Sequence, residues 1–394
     1  MKKIAIASLD SINNAGDELL GRSTAYLVEC CDGEFEIERK QLMPTYKQLM
    51  KDGYLLSCLA IPFNYIAQKL KQKGRLAFLV WRINYYIKYK SYYRSWIKRT
   101  DKIILPVGML KFANQNFCFI FDLINTLASQ YDKPVLMNAM SIAKPDEGDP
   151  RYIQLVKAVN MPTVWGITSR DGIDGLTALR RDYVRKEINT DFVGDLALWV
   201  PEIYGKSSHT FQEGKNKMIG VNLIRKSIFA SYKEENFSSA DVKKLYKEIA
   251  KELDSRGYEW VFFCNGMSAD YNFGLELIRE LHLPKEKLID RPMSAKEYVD
   301  MVSQFKAVFG ARLHACITSV ALGIPVVGML WDNKLKYFSK TMGIEKFFIS
   351  ASNLSGENVV NSLEEAMEFP FDYANRESYK ERTAKYIEKF ICEI

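Results

Sequence analysis

Arg312 and His314 stand two residues apart in Phe309-Gly-Ala-Arg312-Leu-His314, and Lys334 follows in Trp331-Asp-Asn-Lys334. Ala321-Leu-Gly323-Ile-Pro325-Val-Val-Gly328 lies between them. The pattern reads as a buried strand, a turn carrying a guanidinium and an imidazole, a short helix, a Gly-Ile-Pro break and a second buried strand. A planar guanidinium suits a carboxylate or a phosphate. An imidazole titrates near neutral pH and either binds an anion or supplies a proton. The start of a helix favours negative charge, and open α/β sheets use the ends of adjacent strands as binding crevices. Plainer readings stand beside these. Arg312 can pair with a neighbouring helix, and His314 can cap its helix or bond a backbone carbonyl. The other two histidines, His209 in a polar stretch and His282 at a helix end, read as solvated.

The elements that must hold these residues follow from periodicity. Lys3–Leu9 reads as a first buried strand, Asn13–Glu18 as a polar loop, and a helix follows to about Val28. Ile103–Gly108, Pro134–Asn138 and Pro162–Asp171 repeat the strand pattern, and Phe192–Asp195 reads as the last short strand of this half. Tyr204–Lys217, polar with Gly, Ser and Gln, is the expected linker. Beyond it Lys217–Asn222, Glu259–Cys264, Ala307–Gly310 and Pro325–Met329 read as strands. Ala240–Arg256, Tyr271–Leu281 and Tyr373–Ile391 read as helices. Strands alternating with helices imply parallel sheets. The expected architecture is α/β: two αβα Rossmann-like domains facing a cleft, over 1–205 and 215–370, with a terminal helix over 371–394.

A chain of 394 residues, 47% hydrophobic and 26% charged, is of a length that normally divides into two cores. Its net charge of +7 fits an acidic small molecule, an anionic membrane or nucleic acid equally. The seven cysteines are scattered with no C-x-x-C pair, so neither a disulfide framework nor a zinc site is expected, and a reducing compartment is. The basic, apolar start stops at Asp10, too short for a signal-peptide core, and no run spans a bilayer. A cytoplasmic location is expected.

Arg312-Leu-His314, the following Ala-Leu-Gly-Ile-Pro325 and Asp332-x-Lys334 resemble the polysaccharide pyruvyl transferase family. Asn14-x-Gly16-Asp17-Glu18 resembles its early Asn-x-Gly-Asp-Glu loop, Thr168-Ser-Arg170-Asp171 its Arg-Asp motif, and Gly220-Val-Asn222 with Arg225 the strand opening its second half. The resemblance implies a GT-B-like fold, phosphoenolpyruvate as donor and a sugar hydroxyl pair of a bacterial surface polysaccharide precursor as acceptor. Arg170, Arg312, His314 and Lys334 carry over as functional residues. Arg225 carries over more loosely, because an inserted residue shifts the alignment there, and Asn14 and Gly16 come with the early loop. Leu105-Pro-Val-Gly108-Met-Leu departs from the family's glycine-rich turn, which puts the identity of the acceptor in doubt.

The residue types suit that chemistry. Phosphoenolpyruvate carries a phosphate and a carboxylate, so several cations must meet, and Arg312, Lys334 and the helix start expected after His314 can share them. Arg170 or Arg225 is then expected to reach across the cleft. Ketal formation requires a proton on the methylene carbon, with His314 the candidate donor or a donor-binding group, and a base for the attacking hydroxyl, with Asp17 the candidate. Asp17 is as readily an N-cap or an Asx turn. Asp171 is expected to orient Arg170. No redox cofactor and no metal are expected.

Within an arm over 60–102, Lys71–Lys102 interleaves Lys and Arg with Trp81, Tyr85, Tyr86, Tyr89, Tyr92, Tyr93 and Trp96. Such a mixture suits an interface on an anionic membrane, stacking on nucleic acid, or a helix packed on the first domain. Peripheral association with the inner face of a membrane, near a lipid-linked glycan acceptor, is the expectation, and no nucleic acid partner is. The alternative function is a GT-B-type glycosyltransferase using a nucleotide sugar. The helix Ala315–Leu322 has no carboxylate to hold a ribose or donor sugar, which favours the pyruvyl reading.

Overall fold

The computed structural model describes residues 1–10, 14–70, 74–107, 115–142, 148–171, 173–206, 218–228 and 238–392. They fold into two compact units, each built on a parallel sheet. Unit 1 comprises residues 1–10, 24–194 and 383–394, and unit 2 comprises residues 11–23 and 195–382. The chain thus enters unit 2 early, returns, and re-enters at Asp195. That crossing precedes the expected linker, most of which, with His209, lies outside the described residues.

Unit 1 holds β1 (Lys2–Ser8), β2 (Phe35–Gln41), β3 (Lys102–Leu105), β4 (Val135–Ser141), β5 (Val164–Asp171) and β6 (Asn189–Phe192), in the order β2-β1-β3-β4-β5-β6. The central strands are fully buried, as parallel strands covered on both faces must be. Edge strand β2, Phe-Glu-Ile-Glu-Arg-Lys-Gln, is half-buried throughout. The sequence reading missed it because it has no apolar run.

The helices α1 (Ala15–Glu29), α2 (Tyr46–Lys51), α3 (Ile61–Lys69) and α4 (Gly74–Ile97) precede β3, with a 3-10 turn at Leu55–Ala60. The aromatics of the expected interfacial arm turn inward. Trp81, Tyr85, Tyr89, Tyr92, Tyr93 and Trp96 are buried against β3 and its neighbours, and Tyr86 is exposed. Tyr93 and Tyr92 donate to the carbonyls of Leu42 and Gln41 at 2.5 and 2.9 Å, which fixes α4 to the end of β2. These rings therefore form part of the core of unit 1.

In unit 2, β7 (Met218–Asn222), β8 (Glu259–Phe263), β9 (Phe305–Gly310), β10 (Val326–Leu330) and β11 (Phe348–Ser350) run in the order β11-β10-β9-β7-β8. Strands β8 and β9 leave β7 on opposite sides, so the strand order reverses between β7 and β9. Such a reversal opens a crevice at the carboxyl ends of the strands. The helices that bear on it are α5 (Ser268–Glu280), α6 (Ala295–Val302), α7 (Leu313–Ala321) and α8 (Asn333–Met342). Helix α7 ends at Leu322, and Gly323 follows with a φ of 72°, the left-handed conformation a glycine adopts without strain. The Gly-Ile-Pro break predicted from sequence is this helix stop. The terminal helix α9 (Ala374–Cys392) begins in unit 2 and ends in unit 1.

Candidate active site

The carboxyl ends of β7 and β9 are tied together by side chains. Asn222 accepts the Arg312 backbone N–H at 2.9 Å and donates to Asn265, just past β8, at 2.9 Å. Arg312 forks onto Asp270 of α5, with Nε to Oδ2 at 2.9 Å and Nη2 to Oδ1 at 2.7 Å. Asp270 is fully buried and also accepts the Arg225 backbone N–H at 2.8 Å. The plainer reading of Arg312, a pair with a neighbouring helix, is therefore present. It does not exhaust the guanidinium, whose Nη1 edge makes no hydrogen bond among the described residues. A bidentate clamp on a buried carboxylate fixes the plane of that edge.

Arg312 is also the N-cap of α7, and its side chain makes no capping bond to that helix. The cation thus stands at the helix start, where the dipole favours negative charge. Among the described residues the Arg225 side chain makes no ion pair or hydrogen bond. Arg291 also belongs to this corner. Burial raises the Cys264 thiol to about 11, while Arg291 and Arg312 both act on it in the opposite direction. Sequence reading passed over Arg291, whose only mark is the dipeptide Arg-Pro after a polar turn, and Asp270, whose burial arises from packing alone.

His314 is buried in the first turn of α7, and its Nε2 lies 3.9 Å from Asp195 Oδ2. Asp195 was expected to close a strand. Instead β6 ends at Phe192, and Asp195 caps the 3-10 turn Leu196–Trp199 through Oδ1, leaving Oδ2 toward the imidazole. The other side of the His314 ring faces Gly16. A Cβ at position 16 would overlap Nδ1, Cγ and Cε1 of the ring, so only glycine fits.

The early loop is thus part of unit 2, and it is mostly helix. Asn14 caps α1, accepting from Gly16 N–H at 3.3 Å and donating to Asp17 Oδ2 at 3.0 Å. Asp17 lies half-buried in the first helical turn rather than in the expected polar loop. The sequence Asn-Ala-Gly-Asp-Glu begins a helix because Asn14 caps it and acidic side chains suit its positive end. Ala15 N–H donates to the Asn265 carbonyl at 2.8 Å, and Glu18 accepts the Ala295 N–H that opens α6 at 2.8 Å. These bonds hold Gly16 against His314.

Lys334 is half-buried in the first turn of α8, where Asp332 is the N-cap and accepts its N–H at 3.1 Å. Unit 2 therefore carries Asn14, Gly16, Asp17, Arg225, Arg312, His314 and Lys334. Arg170 and Asp171 belong to unit 1, buried at the end of β5. The β4–β5 ladder shifts register there, Ala139 adopts a φ of 51°, and its N–H donates to Thr168 Oγ1 at 2.7 Å. The departing loop that begins at Gly108 lies outside the described residues. Among the described residues no group of three or more His, Cys, Asp or Glu side chains is gathered as a metal site.

Two parallel α/β units of this kind, with a crevice at a strand reversal, define a GT-B-like fold, and solved structures agree. The chain is similar to the UDP-GlcNAc 2-epimerase of Methanocaldococcus jannaschii at 13% identity and a TM-score of 0.57, over 98% of this chain and 99% of that one. It is similar to the S. aureus MnaA of a UDP co-structure at 10% identity and 0.56, over 100% and 98%. It is also similar to a UDP-forming α,α-trehalose-phosphate synthase of Burkholderia vietnamiensis at 10% and 0.51, over 99% and 97%. At these identities the likeness is one of fold. The family model for polysaccharide pyruvyl transferase matches residues 14–333, from Asn14 to the residue before Lys334. The chain belongs to the polysaccharide pyruvyl transferase family, a transferase family. None of the curated proteins compared with it matches.

Proposed function

We propose that the protein transfers the enolpyruvyl group of phosphoenolpyruvate to a sugar of a bacterial surface polysaccharide precursor, forming a pyruvate ketal. The observation that carries this reading is the pairing in unit 2 of a fixed guanidinium edge, at the start of α7, with a histidine two residues further on. Arg312, Arg225 and the first turn of α7 supply positive charge for a phosphate and a carboxylate, with Lys334 as a further ligand from α8.

His314 delivers a proton to the methylene carbon, and the adjacent carbon becomes oxocarbenium-like. A sugar hydroxyl attacks that carbon, phosphate leaves with the C–O bond electrons and takes up the proton of that first hydroxyl, and a second hydroxyl closes the ketal, its proton returning to His314. The Asp195 carboxylate stabilises the imidazolium before the transfer. Asp17 takes the proton of the attacking hydroxyl and passes it to the phosphate, with Asn14 orienting its carboxylate. Arg170 is the ligand proposed from unit 1. The reaction requires no redox change and calls on no metal. A lipid-linked acceptor at the cytoplasmic face of a membrane completes the proposal.

The test is incubation with phosphoenolpyruvate and a panel of lipid-linked and synthetic glycosides, following phosphate release and the ketal mass. Phosphate release dependent on glycoside and absent in His314→Ala supports the reading. Turnover of a nucleotide sugar instead, or full activity in His314→Ala, refutes it. The nucleotide-sugar alternative lacks a carboxylate on α7, where Leu-His-Ala-Cys-Ile-Thr-Ser-Val-Ala has none.

A further inference from the structure

The layer formed by the 3-10 turn Leu55–Ala60, α3 and the start of α4 is inside out. Its small and polar residues face the protein. Ser57, Ala60 and Ala67 are buried, Ser57 donates to the Lys88 carbonyl at 2.7 Å, and Asn84 donates to the Ala60 carbonyl at 2.8 Å. Its large apolar residues face outward: Leu55, Leu56 and Leu59 are 66, 67 and 61% exposed. Tyr65 of α3 is 59% exposed, and Leu76 and Leu79 of α4 are 63 and 50% exposed. Scattered exposed leucines are ordinary, but a contiguous stretch of them marks a contact surface.

The charge of the same stretch says what covers it. Gly53–Thr100 contains ten Lys and Arg and no Asp or Glu. Lys69, Arg75 and Arg82 are exposed beside the apolar residues, and among the described residues only Arg82 reaches an acid, Asp122 at 3.9 Å. A second copy of this surface would bring like charges together. Single-stranded nucleic acid would need a run of exposed rings to stack on, and among the described residues of 53–100 only the rings of Tyr65 and Tyr86 are exposed. Leucines ringed by cations match the boundary between headgroups and acyl chains of an anionic bilayer.

We propose that this outer face docks on an anionic lipid membrane, with Leu55, Leu56, Leu59, Leu76 and Leu79 entering the bilayer and Lys69 and Arg75 at phosphate level. The inference does not rest on the pyruvyl transfer reaction. It replaces the buried aromatics of 71–102 with the leucines before and within that segment as the membrane contact. Among the described residues no helix is long and apolar enough to cross a membrane, so the contact is peripheral.

The experiment floats the full chain with vesicles of phosphatidylcholine alone or with one quarter phosphatidylglycerol. Binding to the anionic vesicles only, lowered about tenfold or more in Leu56→Glu/Leu59→Glu and again in Leu76→Glu/Leu79→Glu, supports the proposal. Both double variants are expected to keep the melting temperature and activity on a soluble glycoside. Absence of flotation overturns it, as does flotation unchanged in both variants. Loss of self-association as the sole effect of the variants also overturns it and assigns the face to a second copy.

Discussion

The crevice of unit 2 and the outer layer of unit 1 handle polarity in opposite ways. In unit 2 charged and amide groups are turned inward and matched, Arg312 to Asp270 and Asn222 to Asn265 and the Arg312 backbone. In unit 1 the layer over residues 55–70 and 74–79 turns small and polar residues inward and leaves leucines outside. A buried polar network fixes geometry, because each member left without its partner is costly. An exposed apolar layer fixes nothing internally. The first can position a small anionic ligand, and the second can meet only an extended apolar partner.

Changes in unit 2 should therefore be severe and those in the outer layer of unit 1 mild. The largest effect is expected for His314→Asn, which should lower turnover about 10²–10⁴-fold while the melting curve shifts little, since a general acid is worth that factor. Asp195→Asn should lower turnover less and move the pH–rate profile, because the imidazolium loses its negative neighbour 3.9 Å away. A pH profile identical to that of the unaltered protein would separate Asp195 from His314.

Asp270→Ala is expected to cost about 3–5 kcal/mol in denaturant unfolding, because it strands the Arg312 charge in a part-buried site. Arg312→Ala strands Asp270 in the same way. The comparison is sharpened by Arg312→Ala combined with Asp270→Ala, which should recover part of the stability without recovering turnover. Recovery of both would make the pair purely structural. Gly16→Ala should cost about 1–3 kcal/mol as the new methyl displaces the imidazole, with a larger loss of turnover than of stability.

The smallest effect belongs to pH and unit 1. Burial lowers Lys88 and Lys102 to about 8 from an ordinary 10.5. Between these values the unfolded chain binds more protons, so stability rises with pH above about 8. Burial raises Tyr85, Tyr89, Tyr92 and Tyr93 above an ordinary 10.0. Above that pH the unfolded chain releases protons the folded chain keeps, so stability falls. Urea unfolding at pH 8, 9, 10 and 11 should pass through a maximum near pH 10.

The sheets were legible where strands are buried on both faces. Lys3–Leu9, Glu259–Cys264 and Pro325–Met329 fall on β1, β8 and β10 because unbroken apolar runs have no other use there. Edge strands β2 and β11 were not legible, one being mostly charged with only Phe35 and Ile37 apolar and the other three residues long. Asn14, Gly16, Arg312 and His314 stood out as a pattern. The contact of Gly16 with His314, and the partners Asp195 and Asp270, depend on folding that joins distant stretches, and no local spacing carries that information. The inward turn of the α4 aromatics was invisible for the same reason: a Tyr-rich helix reads alike whether its rings face core or lipid.

The segment 14–23 belongs to the unit that otherwise begins at Asp195. No single cut can therefore yield unit 2 whole: a fragment starting at Asp195 leaves behind the glycine that seats the histidine. Recombination of this half among related enzymes would have to move two separate stretches of gene together, and a circular permutant joining 14–23 to the later segment is the shortest route to an isolated domain.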